Sequence, residues 1–206
     1  MSTKTIYLIR HGQTEQNRMG VIQGSGIDSD LNATGQAQAE AFYKRYRDVP
    51  FDKVYTSALK RTHQSVKRFI DRGIPWEQYA GLNEISWGHS EGRASTPMGD
   101  AAFYGAIRRW QRGDTKAGVP GGESPEDVVI RQNLVLDIIF NRPEEKNILV
   151  CMHGRAIRVL LCTLTGVSLR MMDTFEHRNL CLYVLSYNGS LPCTIELANS
   201  VASDDS

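Results

Sequence analysis

Six polar residues stand where apolar runs stop or where helices should start: Arg10, His11, Asn17, Arg61, Glu84 and His153. Together they supply two guanidiniums, two imidazoles, an amide and a carboxylate. Guanidinium forks match the oxygens of a tetrahedral phosphate. An adjacent imidazole can attack phosphorus, and a single carboxylate can hand a proton to the departing oxygen. The set suits phosphoryl transfer without a metal. No His-x-x-x-His pair or carboxylate cluster offers a metal site, and a histidine used as nucleophile cannot also be a ligand. No cofactor is expected, because Gly24 and Gly26 do not directly follow the first strand, as a dinucleotide fingerprint requires.

The elements that must position these groups can be read from periodicity and punctuation. Ile6, Tyr7, Leu8 and Ile9 read as a buried parallel strand, after which Gly12 allows a tight turn and Thr14 caps a helix. Residues 147–152 repeat the pattern and end in His153-Gly154. In a parallel sheet both strands deliver their carboxyl ends to one edge, so His11 and His153 should face one pocket. Between them the sequence predicts a helix at 36–46 capped by Thr34, a strand at 51–56, and a helix at 58–70 with Arg61 in its first turn. It also predicts a strand at 77–79, an inserted helix at 97–112, and a helix at 126–140 with Ser124 as cap and Pro125 at its first position. A helix at 156–165 and strands at 180–186 and 193–197 follow. This alternation predicts an α/β fold: a three-layer α/β/α sandwich with a mainly parallel central sheet and a small helical insertion over the active site. The expected organisation is one domain over 1–206, with 85–122 as a loop and helical cap and 198–206 as a frayed tail.

Lys plus Arg number 24 against 23 Asp plus Glu, a net charge of +1, so the broad basic field of a nucleic-acid binder is missing. No stretch reaches the apolar length of a membrane span and no signal-peptide core precedes the first strand, which leads us to expect a cytoplasmic protein. Cys151, Cys162, Cys181 and Cys193 lack paired spacing and read as buried free thiols. The partner expected is a small-molecule phosphate ester, with no nucleic acid and no membrane. A homodimer is compatible with the chain.

Arg10-His11-Gly12-Gln13-Thr14 with Asn17, Leu31-Asn32-x-x-Gly35 and Thr56-Ser57-x-Leu59-x-Arg61-Thr62 are followed by Leu82-Asn83-Glu84-Ile85, by Pro120-Gly121-Gly122-Glu123-Ser124 and by His153-Gly154. In this order the six elements resemble the histidine phosphatase superfamily, which includes the cofactor-dependent phosphoglycerate mutases, and the likeness spans roughly the whole chain. The resemblance implies His11 as nucleophile forming a phosphohistidine. It implies Glu84 as general acid and then base, and Arg10, Arg61 and His153 as ligands of the phosphoryl oxygens, with Asn17 adding a hydrogen bond. Gln23, Gly154 and Arg155 join the residues expected to bind substrate. For this chemistry His11 must be neutral at the attacking nitrogen, so its other nitrogen needs a fixed acceptor, commonly a backbone carbonyl. Glu84 must carry a proton when the ester arrives, and Glu91 is its nearby competitor.

Departures from the pattern include Ala58, Ser90 and Arg155; many relatives have a small or neutral residue directly after His-Gly. Arg155 is therefore expected to contact a second acidic group on the substrate. His63, His89 and His177 are expected to have no catalytic task, although His89 lies in a loop that could touch substrate. Three functions follow from the resemblance. The first is a metal-independent phosphatase of small acidic phosphate monoesters; the second is a phosphoglycerate mutase; the third is a non-catalytic phospho-ligand-binding or scaffold protein. The stretch between Glu84 and His153 is short for a mutase, which favours access of water to the phosphohistidine. All the catalytic groups are present, against expectation for a scaffold.

Overall fold

The computed structural model of the chain describes residues 3–202. In chain order it contains β1 (Lys4–Arg10), α1 (Glu15–Arg18), α2 (Ala33–Tyr46), β2 (Lys53–Thr56), α3 (Lys60–Asp71), β3 (Trp76–Gln78), α4 (Ala101–Gln111), α5 (Pro125–Phe140), β4 (Asn147–Met152), α6 (Gly154–Thr165), β5 (Leu182–Tyr187) and β6 (Thr194–Ser200). The strands form one sheet in the order β3-β2-β4-β1-β5-β6. β1, β2, β3 and β4 run parallel, whereas β5 is antiparallel to both β1 and β6.

Strand periodicity separates the two faces of this sheet. Ile6 and Leu8 of β1, with Ile148, Val150 and Met152 of β4, pack against Leu136 and Ile139 of α5 and Ile157, Leu160 and Leu161 of α6. Ile9, Leu149 and Cys151 point the other way, onto Phe42 of α2 and Val66 and Phe69 of α3. Both faces are buried, as a mainly parallel sheet requires, and the result is the three-layer α/β/α sandwich. A separate apolar cluster ties the inserted segment to the body: Trp87, Ala106 and Trp110 meet Val128 of α5 and Val159 of α6. Trp110 is 1% exposed and its Nε1–H is satisfied by the carbonyl of Ala117 at 2.6 Å. Burial of that indole stabilises the insertion by about 2 kcal/mol or more.

Several local expectations change. Asn32, not Thr34, caps α2, its side chain accepting from the Gly35 N–H at 2.9 Å. The helix begins one turn earlier than its apolar pattern suggests, which places Thr34 inside the first turn. Gly12 serves close approach rather than a sharp turn, since a Cβ there would stand 2.7 Å from the carbonyl oxygen of Gly35. Residues 198–200, expected to fray, belong to β6, where Ser200 pairs with Leu182. Main-chain pairing needs no apolar side chains, so their polar composition was misleading. The remainder of that tail, 203–206, lies outside the described residues. All four cysteines are buried and free, as expected.

Candidate active site

The carboxyl ends of β1 and β4 set His11 and His153 side by side, with ring centroids 5.1 Å apart. His11 Nδ1 lies 2.7 Å from the Gly12 carbonyl oxygen, which can only accept. Nδ1 therefore carries the ring proton, and Nε2 keeps its lone pair. His153 is held in the opposite tautomer. Arg61, in the first turn of α3, donates Nε–H to His153 Nδ1 at 3.2 Å, so the proton sits on Nε2 and meets Ser57 Oγ at 2.8 Å. Ser57 Oγ also accepts from the Leu59 N–H, passes its own proton to Thr62 Oγ1 at 3.0 Å, and Thr62 donates to the carbonyl of Leu59 at 2.8 Å. Every bond in this chain has one consistent direction. Burial pushes both imidazoles well below the ordinary histidine value, and Arg61 adds to the effect on each. Both rings are neutral.

Arg61 is fully buried and also donates to the carbonyls of Ile27 and Gly24. No carboxylate pairs with its guanidinium within salt-bridge distance among the described residues, so its charge is available to the cleft. Arg10 Nε is buried with no acceptor among the described residues. An orphaned guanidinium donor beside a neutral nucleophile is what a floor built to receive an anion should show.

Above this floor opens a cleft of about 250 Å³ whose walls include Glu84, Gln23, Trp87, Phe103, Arg155 and His177. Glu84 is 7% exposed and is fixed by main-chain donors: Oε1 accepts from Ile85 and Ala156, and Oε2 from Arg155 at 3.0 Å. Two of these N–H groups belong to the first turn of α6, where a carboxylate is favourably placed. Glu91, the competitor, instead accepts from the Trp87 and Gly26 N–H groups and ties the 24–26 loop to the cap. Asn17 closes the capping box of α1 with Thr14, and its Oδ1 takes a further bond from Asn179 at 3.2 Å. Gln23 accepts from the Thr14 hydroxyl at 2.9 Å. Arg155 lines the cleft with its guanidinium pinned to Asp173 at 2.6 Å and stacked over Trp110. His89 lies against Gly121 and His63 against Trp76, and neither is among the residues lining the cleft.

Residues 6–200 match the histidine phosphatase superfamily (branch 1). The chain belongs to this superfamily. A broad-specificity phosphatase of Saccharomyces cerevisiae is 33% identical over 168 residues, covering 76% of this chain and 68% of that protein. A probable phosphoglycerate mutase of Yersinia enterocolitica is 31% identical over 190 residues, 90% of this chain and 86% of that one. Among solved structures, the alpha-ribazole phosphatase of Shigella flexneri superposes with a TM-score of 0.82 at 26% identity, covering 95% of this chain and 96% of the other.

In this member of the superfamily the structure brings Arg10, His11, Asn17, Gln23, Arg61, Glu84, His153, Gly154 and Arg155 to one edge of the sheet. It also adds groups that sequence reasoning passed over. Ser57 and Thr62 lie within a recognised motif, yet nothing in their spacing revealed that they orient His153. Asn179 donates to the carbonyl of His11 at 3.1 Å as well as to Asn17. His177, expected to have no catalytic task, lines the cleft and meets Arg10 Nη1 at 3.1 Å. Both come from the segment leading into β5. Because β5 is antiparallel to β1, that lead-in arrives at the same edge as the carboxyl ends of the parallel strands. Strand direction was the missing signal. Among the described residues no group of three or more His, Cys, Asp or Glu converges to hold a metal ion, and no helix is long and apolar enough to cross a membrane.

Proposed function

We propose that the protein is a phosphatase that hydrolyses small acidic phosphate monoesters through a phosphohistidine on His11, with no metal ion required. The observation that carries this reading is the His11 Nδ1–H bond to the Gly12 carbonyl, which leaves an unprotonated Nε2 beside two guanidiniums. His11 Nε2 attacks phosphorus, the bond to the ester oxygen breaks, and Glu84, which takes up a proton as the charge of the bound ester offsets its three N–H donors, protonates that oxygen as it leaves. Water then attacks the phosphohistidine, its proton returns to Glu84, the N–P bond breaks and inorganic phosphate departs. Arg10, Arg61 and the Nε2–H of His153 would meet the equatorial oxygens, where charge is spread in the transition state. For the last of these, His153 would share or exchange its bond to Ser57. The acidic preference is supported by the surplus of cations near the cleft: Arg155 and Arg158 share the single carboxylate of Asp173.

A mutase uses the same first step but returns the phosphoryl group to a second hydroxyl, and a mutase is among the relatives. The short segment between Glu84 and His153 favours hydrolysis. A chelator-treated screen of phosphate esters, scoring both phosphate release and isomerised product, separates the two. Phosphate release that survives chelation and disappears in His11→Ala is expected. Chelator-sensitive release persisting in that variant would sink the proposal, and isomerised product would replace hydrolysis with mutase activity.

A further inference from the structure

Arg10 Nη1 lies 3.1 Å from His177 Nδ1. A guanidinium only donates, so Nδ1 accepts and the neutral ring carries its proton on Nε2. The ring rests on Gly154: a Cβ added there would stand 2.7 Å from His177 Cε1 and 3.0 Å from Nε2. His177 thus occupies the space a side chain would take at the first residue of α6, directly beside the His153 that precedes it. Nε2 has no protein acceptor among the described residues and is not among the buried orphan atoms; His177 also lines a second cavity with Arg10, Asn179 and Leu180, but its Nε2 edge lies over Gly154, which lines the cleft. Burial and then Arg10, Arg158 and Arg155 lower the ring to about 2, with Asp173 alone opposing, so it stays neutral through the ordinary pH range. The backbone that delivers it is also unusual. Leu180 is held at φ 54°, a left-handed conformation that side chains adopt only under constraint.

We propose that His177 is a further phosphate-binding residue of this site: Nδ1 holds the Arg10 guanidinium in place, and Nε2–H donates to an oxygen of the phosphoryl group delivered to His11. This rests on the reading of His11 as phosphoryl acceptor. Phosphoryl oxygens only accept, which matches a neutral N–H whose state is fixed by the cation behind it. The arrangement also accounts for Gly154, because any larger residue would displace the ring.

Two variants test it. His177→Phe keeps a flat ring against Gly154 but loses both hydrogen bonds; His177→Gln can still accept from Arg10 and donate to phosphate. His177→Phe is expected to lower kcat/KM about 10–100-fold and to weaken inhibition by inorganic phosphate about tenfold. The shape of the pH–rate profile between pH 5 and 8 should not change, and His177→Gln should recover to within about fivefold of wild type. Equal impairment of Phe and Gln would mean that only packing matters, and a folded Phe variant within twofold of wild type in both measurements would equally overturn the proposal. Calorimetric binding of inorganic phosphate separates this from the catalytic reading. Affinity lost in Phe and kept in Gln supports His177 even if the wild type hydrolyses no ester, a result that would count against His11 alone.

Discussion

The Nε–H of Arg61 points at Nδ1 of His153 rather than at a carboxylate, so a buried cation is oriented by a neutral ring and keeps its charge for an incoming anion. The same guanidinium spans the carbonyls of Ile27 and Gly24. Lysine cannot reach three acceptors in this fork geometry. Arg61→Lys should lower kcat/KM by about 10²–10³ and Tm by several degrees, since buried carbonyls lose their donor at about 1–3 kcal/mol each. Steady-state kinetics and thermal melts on one preparation separate the two effects. A lowered Tm with unchanged kcat/KM would reduce Arg61 to a structural strut.

Stability should fall on mild acidification. Burial holds His11 and His153 well below the ordinary histidine value and His177 at about 2, whereas the unfolded chain titrates near 6.5. Below that pH the unfolded state binds protons that the native state refuses. Stability conferred by these rings is therefore complete above about pH 7 and is lost progressively as pH falls. Urea unfolding should show a loss of about 4 kcal/mol between pH 7.5 and 5.5 for three such rings. His177→Gln should shrink that loss by about a third. An undiminished loss would mean that His177 titrates normally.

Glu84→Gln should discriminate between leaving groups. An aryl ester with an acidic phenol leaves without help, whereas an alkyl ester needs the proton. The variant should lose about 10²–10⁴ in kcat on alkyl phosphates and far less on p-nitrophenyl phosphate. Equal losses on both would assign Glu84 to anchoring the first turn of α6, through the Arg155 and Ala156 N–H groups it accepts.

Gly154→Ala places a methyl 2.7 Å from the ring of His177, a contact that something must yield to relieve. The single variant should lose activity to about the extent of a His177 truncation. Combining it with His177→Ala should cause little further loss, because the two act on one contact. Additive losses in the double-mutant cycle would show that the methyl disturbs something else, such as the turn into α6.

The central architecture was legible because its signals are local and agree. Ile6 to Ile9 and residues 147–152 are apolar runs of strand length, and both end in His-Gly, which is enough to bring His11 and His153 together. Ser124 and Pro125 start α5 as expected, and Asp127 completes a capping box with Ser124. What stayed hidden depends on relationships across the chain. The tautomer of His153 is decided by Arg61 and Ser57, 92 and 96 residues away in sequence. The role of His177 depends on the direction of the strand that follows it, and Arg155 looks like an unpaired cation until Asp173 is found beside it.

The antiparallel course of β5 gives this scaffold a division of labour. The parallel strands β1 and β4 hold the nucleophile and its neutral neighbour on stiff, doubly covered supports, while a strand entering from the opposite direction contributes its approach rather than its exit. Residues 176–180 therefore face both ways: His177 lines the cleft, while Asn179 and Leu180 hold the carbonyls of His11 and Arg10. Swapping that short stretch between relatives should change the preference among esters and the rate of the phosphoryl step together, unless His177 and Asn179 are kept.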